Sequence, residues 1–89
     1  MIAIRNAKIV LEHSVKEQGV LIVDGEKITF CGEENDAVIP ENCTVYDAGG
    51  HYVGPGLVDI HVHGGDGCMF YNEPLRTAKH FLDHGTTTM

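Results

Sequence analysis

Basic residues are scarce in this 89-residue chain: six Lys or Arg stand against thirteen Asp or Glu, a formal charge of −7. That balance has the wrong sign for gripping nucleic-acid phosphates or anionic lipid, so no nucleic-acid partner is expected. Long apolar runs are missing too. Residues 20–23 are typical of the stretches present, far short of the about 18 to 20 residues that cross a bilayer, and no membrane partner is expected. Cysteine is sparse. Cys31, Cys43 and Cys68 suit neither a disulfide framework nor a paired-cysteine zinc site, which leaves free or buried thiols. The opening segment, with Arg5 and Lys8, lacks the apolar core and cleavage site of a secretory signal, so a cytoplasmic location is expected. No internal repeat is visible. The 43% hydrophobic and 21% charged residues match a globular domain, not a collagen-like, low-complexity or disordered chain.

Turn chemistry divides residues 1–51 into short strands. Ile2 and Ile4, then Ala7, Ile9 and Leu11, alternate with polar positions, which predicts a half-buried strand with a break near Asn6. Residues 20–23 read as a second strand, Asp24-Gly25 as a tight turn and residues 27–31 as an antiparallel return. Residues 32–35 and Pro40-Glu41-Asn42 read as loops, and residues 44–46 as a short strand. The expectation for residues 1–51 is a small antiparallel β-sandwich portion.

Composition changes near Tyr52, where Gly54-Pro55-Gly56 and Gly64-Gly65 begin to punctuate the chain. Residues 57–62 predict a strand. Residues 72–84 predict a helix with Pro74 at its start, Leu75, Ala78, Phe81 and Leu82 on one face, and Gly85 as its stop. Thr86-Thr87-Thr88-Met89 opens another strand. Strand, helix, strand is the opening unit of a parallel α/β sheet, which needs both faces covered.

The chemistry concentrates in Asp59-Ile60-His61-Val62-His63. Side chains along a strand alternate with period two, so Asp59, His61 and His63 share one face while Val58, Ile60 and Val62 share the other. Two imidazoles at i and i+2 suit convergence on one ion, and free imidazole, with a pKa near about 6.5, offers neutral lone pairs at pH 7. Zinc, iron and nickel all accept such ligands. The spacing alone leaves a second reading open, in which both are polar residues on a solvent-facing strand. Two ligands are also fewer than the three or four a zinc site uses.

The run Pro55-Gly56-Leu57-Val58-Asp59-Ile60-His61-Val62-His63, between a small β domain and a helix, resembles the start of the metal-dependent amidohydrolase superfamily. Within it, His63-Gly64-Gly65-Asp66-Gly67 and His84-Gly85-Thr86-Thr87-Thr88 are most similar to N-acetylglucosamine-6-phosphate deacetylases. The resemblance implies an α/β fold: a β-sandwich beside a TIM (β/α)8 barrel, with residues 52–89 as the barrel's first β-α-β segment. It implies His61 and His63 as ligands of a divalent metal, zinc or iron. It also implies an amino-sugar phosphate as the small-molecule partner, and a reaction in which the metal activates water to release acetate from the amide. The family's further ligands, a glutamate and two histidines, and its aspartate acid/base have no counterpart that can be placed in residues 1–89.

A complete barrel runs to about 250 residues, so the remainder is expected beyond Met89 and the chain alone is expected to be inactive. Uncovered strand edges predict a homo-oligomer. Two other readings stay open: a dihydroorotase- or hydantoinase-like cyclic amidohydrolase, and a non-enzymatic, self-associating β module. Among the remaining residues, Asp59 reads equally as an orienter of an imidazole and as a backbone-bonded carboxylate. Gly64, Gly65 and Gly67 read as turn formers before substrate contacts, and His80 and His84 as dipole partners at the helix end. His13 and His51 read as surface residues, and Met69-Phe70-Tyr71 as apolar packing.

Overall fold

Alternation carries β1 through the whole of Ile2–Val10, and the strand buries Ala3, Ala7 and Ile9. In the computed structural model, which describes residues 1–89, the break expected near Asn6 is a bulge and not a strand end. Asn6 sits at φ 53°, the left-handed region where asparagine is tolerated, and the pairing register shifts around it. Before the bulge, Ala3 shares the buried face with Val20 and Ile22, whereas Ile2, on the other face, is 40% exposed.

Antiparallel pairing joins β1 to β2 (Val15–Asp24) and β2 to β3 (Lys27–Glu33), with the two-residue turn at Gly25-Glu26, one residue beyond the expected Asp24-Gly25 because Asp24 still pairs with Lys27. A 3-10 turn, Glu34–Asp36, follows, and the chain then crosses the sheet and returns as β4 (Thr44–Asp47) and β5 (Tyr52–Val53). Both of these pair with β1 in parallel. The sheet is therefore mixed and five-stranded, which corrects the expected all-antiparallel pairing of residues 1–51. The cause lies in the crossing segment. Its Ala37, Ile39 and Cys43 pack, with Phe30, on the buried cluster Ala3, Val20 and Ile22, so the loop covers apolar surface of the sheet. Gly49 and Gly50, at φ 61° and 78°, let the chain step between β4 and β5 opposite the bulge. There Gly49 N and the Asn6 amide both donate to Asp47 Oδ1, at 2.7 and 2.9 Å. The Gly49 bond, and then the Asn6 bond, hold the Asp47 carboxyl below its usual pKa.

The chain divides into two compact units, Met1–Gly54 and Pro55–Met89. Tyr52–Val53 pairs with β1, so these residues lie in the first unit instead of opening the second. The second unit contains β6 (Leu57–Val58), a hairpin of β7 (Gly64–Gly65) and β8 (Cys68–Met69), helix α1 (Pro74–Asp83) and β9 (Thr86–Thr88). β6 and β9 pair in parallel around α1, which makes a β-α-β unit. The unit as a whole gives a mixed α/β class.

The strand expected over residues 57–62 stops at Val58. Asp59 N donates to Thr88 O at 2.8 Å, and the backbone then leaves the ladder where Asp59 Oδ1 accepts from His61 N. The helix begins with Pro74 in its first turn and ends before Gly85, whose φ is 95°. Its start moves from residue 72 to 74 because Asn72 N and Glu73 N both donate to Met69 O, closing the preceding turn. The inward face also differs. Thr77 is fully buried and Ala78, His80 and Phe81 are half-buried, whereas Leu75 is 86% exposed. Helix α1 packs on the hairpin and β9, and that direction selects the Thr77 side. The second unit thus has no buried apolar residue; Val58, Ile60, Leu75 and Leu82 all face solvent.

Candidate metal-ligand pair

Asp59 begins the segment that carries the histidines, and its carboxylate acts on the backbone. Oδ1 accepts from His61 N at 3.0 Å, a turn-forming bond that takes up where the β ladder ends. Of the two roles weighed for Asp59, the backbone-bonded one is observed. The other end is also tied: His63 O accepts from Phe70 N at 2.7 Å, extending the β7–β8 hairpin by one rung. Between these anchors the two rings converge. His61 Nε2 and His63 Nε2 are 2.9 Å apart, with ring centroids at 4.8 Å and planes inclined by 62°.

That separation has two chemical readings, and both require a lone pair. One ring donates its Nε2–H to the unprotonated Nε2 of the other, or both nitrogens turn lone pairs toward a single cation. Nitrogen ligands about 2.0 to 2.1 Å from a tetrahedral zinc ion would be about 3.3 Å apart, so the rings, at 2.9 Å, would open by a few tenths of an ångström to share an ion. Both rings are exposed, and no group of three His, Cys, Asp or Glu side chains comes close enough to complete a cage. Residues 1–89 therefore offer two donors where a zinc site takes three or four.

Beside His63 an open groove of about 470 Å³ is lined by Val62, Met69, Phe70, Tyr71 and Met89. Met69 and Tyr71 are 42% and 78% exposed, so Met69-Phe70-Tyr71, expected as packing, forms a wall of this groove. The glycines after His63 serve structure. Asp66 and Gly67, at φ 54° and 73°, are the two central residues of a tight turn in which both must be left-handed. At Gly65 a Cβ would meet His80 Cδ2 at 3.0 Å, so glycine lets the hairpin lie against α1.

A charged cluster that the sequence reading missed ties this hairpin to the helix. Arg76 Nε donates to Asp66 Oδ2 at 2.9 Å, Nη2 to Asp66 O at 3.4 Å and Nη1 to Glu73 Oε2 at 3.3 Å. Cys68 Sγ donates to the same Glu73 oxygen at 2.8 Å. The Arg76 hydrogen bond, and then its charge, hold the Asp66 carboxyl below its ordinary range. The bond to Glu73 pushes the Cys68 thiol up, since losing the proton would set a thiolate against a carboxylate. The available signal was Asp66-Gly67, a dipeptide of the same turn-forming kind as Asp24-Gly25.

The other histidines have local roles. His84 Nδ1 lies 2.7 Å from His80 O, within reach of a free carbonyl of the last helical turn, and the two rings are 4.5 Å apart. His51 Nδ1 lies 2.9 Å from Ala48 O, and His13 is on the surface. All three cysteines are free. No helix is long and apolar enough to cross a membrane.

An α/β unit with two imidazoles converging just past the end of its first strand is the class that fold and site define. No protein-family profile matches the chain. Among curated proteins it is 36% identical over 85 residues to a dihydroorotase of Ligilactobacillus salivarius, covering 96% of this chain and 20% of that protein. It is 33% identical over 90 residues to an adenine deaminase of Mesorhizobium japonicum, covering 99% of this chain and 14% of that protein. An imidazolonepropionase of Pseudomonas savastanoi is 35% identical over 52 residues, 58% of this chain and 13% of that protein. The chain thus spans about a fifth or less of the length of these relatives. Their names support the amidohydrolase superfamily, a group of hydrolytic and generally divalent-metal-dependent enzymes.

Proposed function

We propose that this chain supplies the first two metal ligands, His61 and His63, of a metal-dependent amidohydrolase. The observation that carries the reading is the approach of the two Nε2 atoms to 2.9 Å. A bound divalent ion would supply Lewis-acid polarisation of a carbonyl and activation of water. The chain's own residues do the positioning. Asp59 turns the backbone so that His61 faces His63, the hairpin rung at Phe70 fixes His63, and the two Nε2 atoms provide the donors. With two donors, the 89-residue chain alone is proposed to hydrolyse nothing.

For the substrate we favour N-acetylglucosamine 6-phosphate, because the glycine-rich hairpin after His63 resembles the deacetylases. A second reading, hydrolysis of a cyclic amide, is favoured by a different observation: several of the similar curated proteins are named dihydroorotase. A longer product that includes residues 1–89 separates the two. Acetate released from N-acetylglucosamine 6-phosphate, and abolished in the His61→Ala/His63→Ala double variant, supports the first. Opening of a cyclic amide without acetate release supports the second. Hydrolysis that survives the double variant, with no loss of bound zinc, refutes both.

A further inference from the structure

The two histidines are held by different anchors. His61 follows Asp59, whose backbone N–H is tied to Thr88 of β9. His63 continues directly into β7, and its carbonyl is a rung of the β7–β8 hairpin. Ile60, just before His61, is 95% exposed, and Val62, between the two rings, is half-buried and lines the same groove as Met69 of β8. The approach of the rings therefore depends on where the hairpin sits within its unit, and the Arg76 cluster is the side-chain tie that holds the hairpin tip on α1. Asp66 occupies the left-handed region at φ 54°, as the first residue of an Asp-Gly turn does, and this aims its side chain and carbonyl at the helix. Arg76 binds both the carboxylate and the carbonyl of that residue while bridging to Glu73 at the helix start.

We propose that Arg76 is a positioning residue for the histidine pair: by clamping Asp66 to the first turn of α1 it fixes the hairpin, and so sets His63 against His61. The guanidinium fork suits this task, since it engages two separate acceptor groups in one fixed geometry. The consequence for a bound ion rests on the reading of His61 and His63 as ligands given above. The placement of the rings does not, which makes the two separately testable. Arg76 touches neither imidazole; it acts through the backbone.

The test is nuclear Overhauser spectroscopy on the metal-free 89-residue chain, reading the cross-peak between the His61 and His63 ring protons. Asp66→Gly keeps a turn that accepts positive φ and removes the carboxylate. Arg76→Gln removes the fork, and Lys79→Gln breaks the neighbouring Lys79–Asp83 pair, 2.6 Å on the same helix, as a control. The expected result is a clear cross-peak in the unaltered chain and in Lys79→Gln, reduced at least about threefold in Asp66→Gly and Arg76→Gln, as a clamp requires. If Arg76→Gln also melts α1, Asp66→Gly decides. No cross-peak in the unaltered chain, an unchanged one in Asp66→Gly, or an equal loss in Lys79→Gln overturns the proposal.

A zinc titration followed on the same ring resonances addresses the ligand reading by itself. Two donors give a weak site, so the comparison is with the other histidines: zinc-induced shifts at His13 or His51 at concentrations that leave His61 and His63 unmoved refute that reading, while the cross-peak comparison still decides the role of Arg76. Where zinc binds, Asp66→Gly is expected to weaken it about tenfold.

Discussion

Thr77 is the fully buried side chain of the second unit, and its Oγ1 has no hydrogen-bond partner. A buried hydroxyl left unsatisfied costs about 1 to 3 kcal/mol relative to its hydrated state. Thr77→Val replaces that hydroxyl by a methyl of nearly the same size, keeps the β-branch and leaves helix propensity almost unchanged. The substitution is therefore expected to stabilise α1 locally by about 1 to 3 kcal/mol. With so little apolar burial around it, α1 should open by local fluctuation, so amide hydrogen exchange is the suitable assay. Exchange of the amides of Pro74–Asp83 should slow by about 5- to 150-fold, the equilibrium factor for that energy. Thr77→Ser makes the opposite test: it keeps the hydroxyl and deletes a methyl, losing about 0.8 kcal/mol of burial and speeding exchange about fourfold. Faster exchange in Thr77→Val than in the unaltered chain would show that Oγ1 is satisfied, and the reasoning would fail.

Two further outcomes follow from the charged cluster. Asp66 ionises at lower pH in the folded chain than in the unfolded one, so its contribution to the clamp is complete above about pH 3.8 and fades as the pH drops through the depressed folded value. The Asp66 carboxyl carbon should titrate with a midpoint below 3.8 and return toward 3.8 in Arg76→Gln; a midpoint at or above 3.8 in the unaltered chain contradicts the contact. Cys68, its thiol pushed up by Glu73, should be alkylated by iodoacetamide at pH 8 more slowly than exposed Cys31. Glu73→Gln should narrow that difference, and equal rates in the unaltered chain would argue against the Cys68–Glu73 bond.

Local chemistry was readable from residue order, and long-range pairing was not. Asp24-Gly25, Pro74 and Gly85 each act through their own φ preference or missing donor, so the turn and the two helix limits could be placed within a residue or two. The i, i+2 spacing put His61 and His63 near each other in the chain, but the ladder that was to set their common face ends at Val58, and their approach follows the Asp59 turn and the hairpin instead. The five-stranded order was illegible because parallel addition of β4 and β5 to β1 depends on a segment crossing a sheet face. A strand's alternation does not say which neighbour it will meet.

Residue order alone thus determined the tight turns and the strand–helix–strand sequence, because each rests on backbone preferences and periodicity within a few residues. Tertiary structure decided the rest. It chose Thr77 over Leu75 as the buried side of α1, made Asp59 a backbone anchor, and joined Asp66, Cys68, Glu73 and Arg76 into a clamp. Those outcomes depend on which surfaces and charges meet once hairpin and helix pack, and packing direction is a property of the assembled unit.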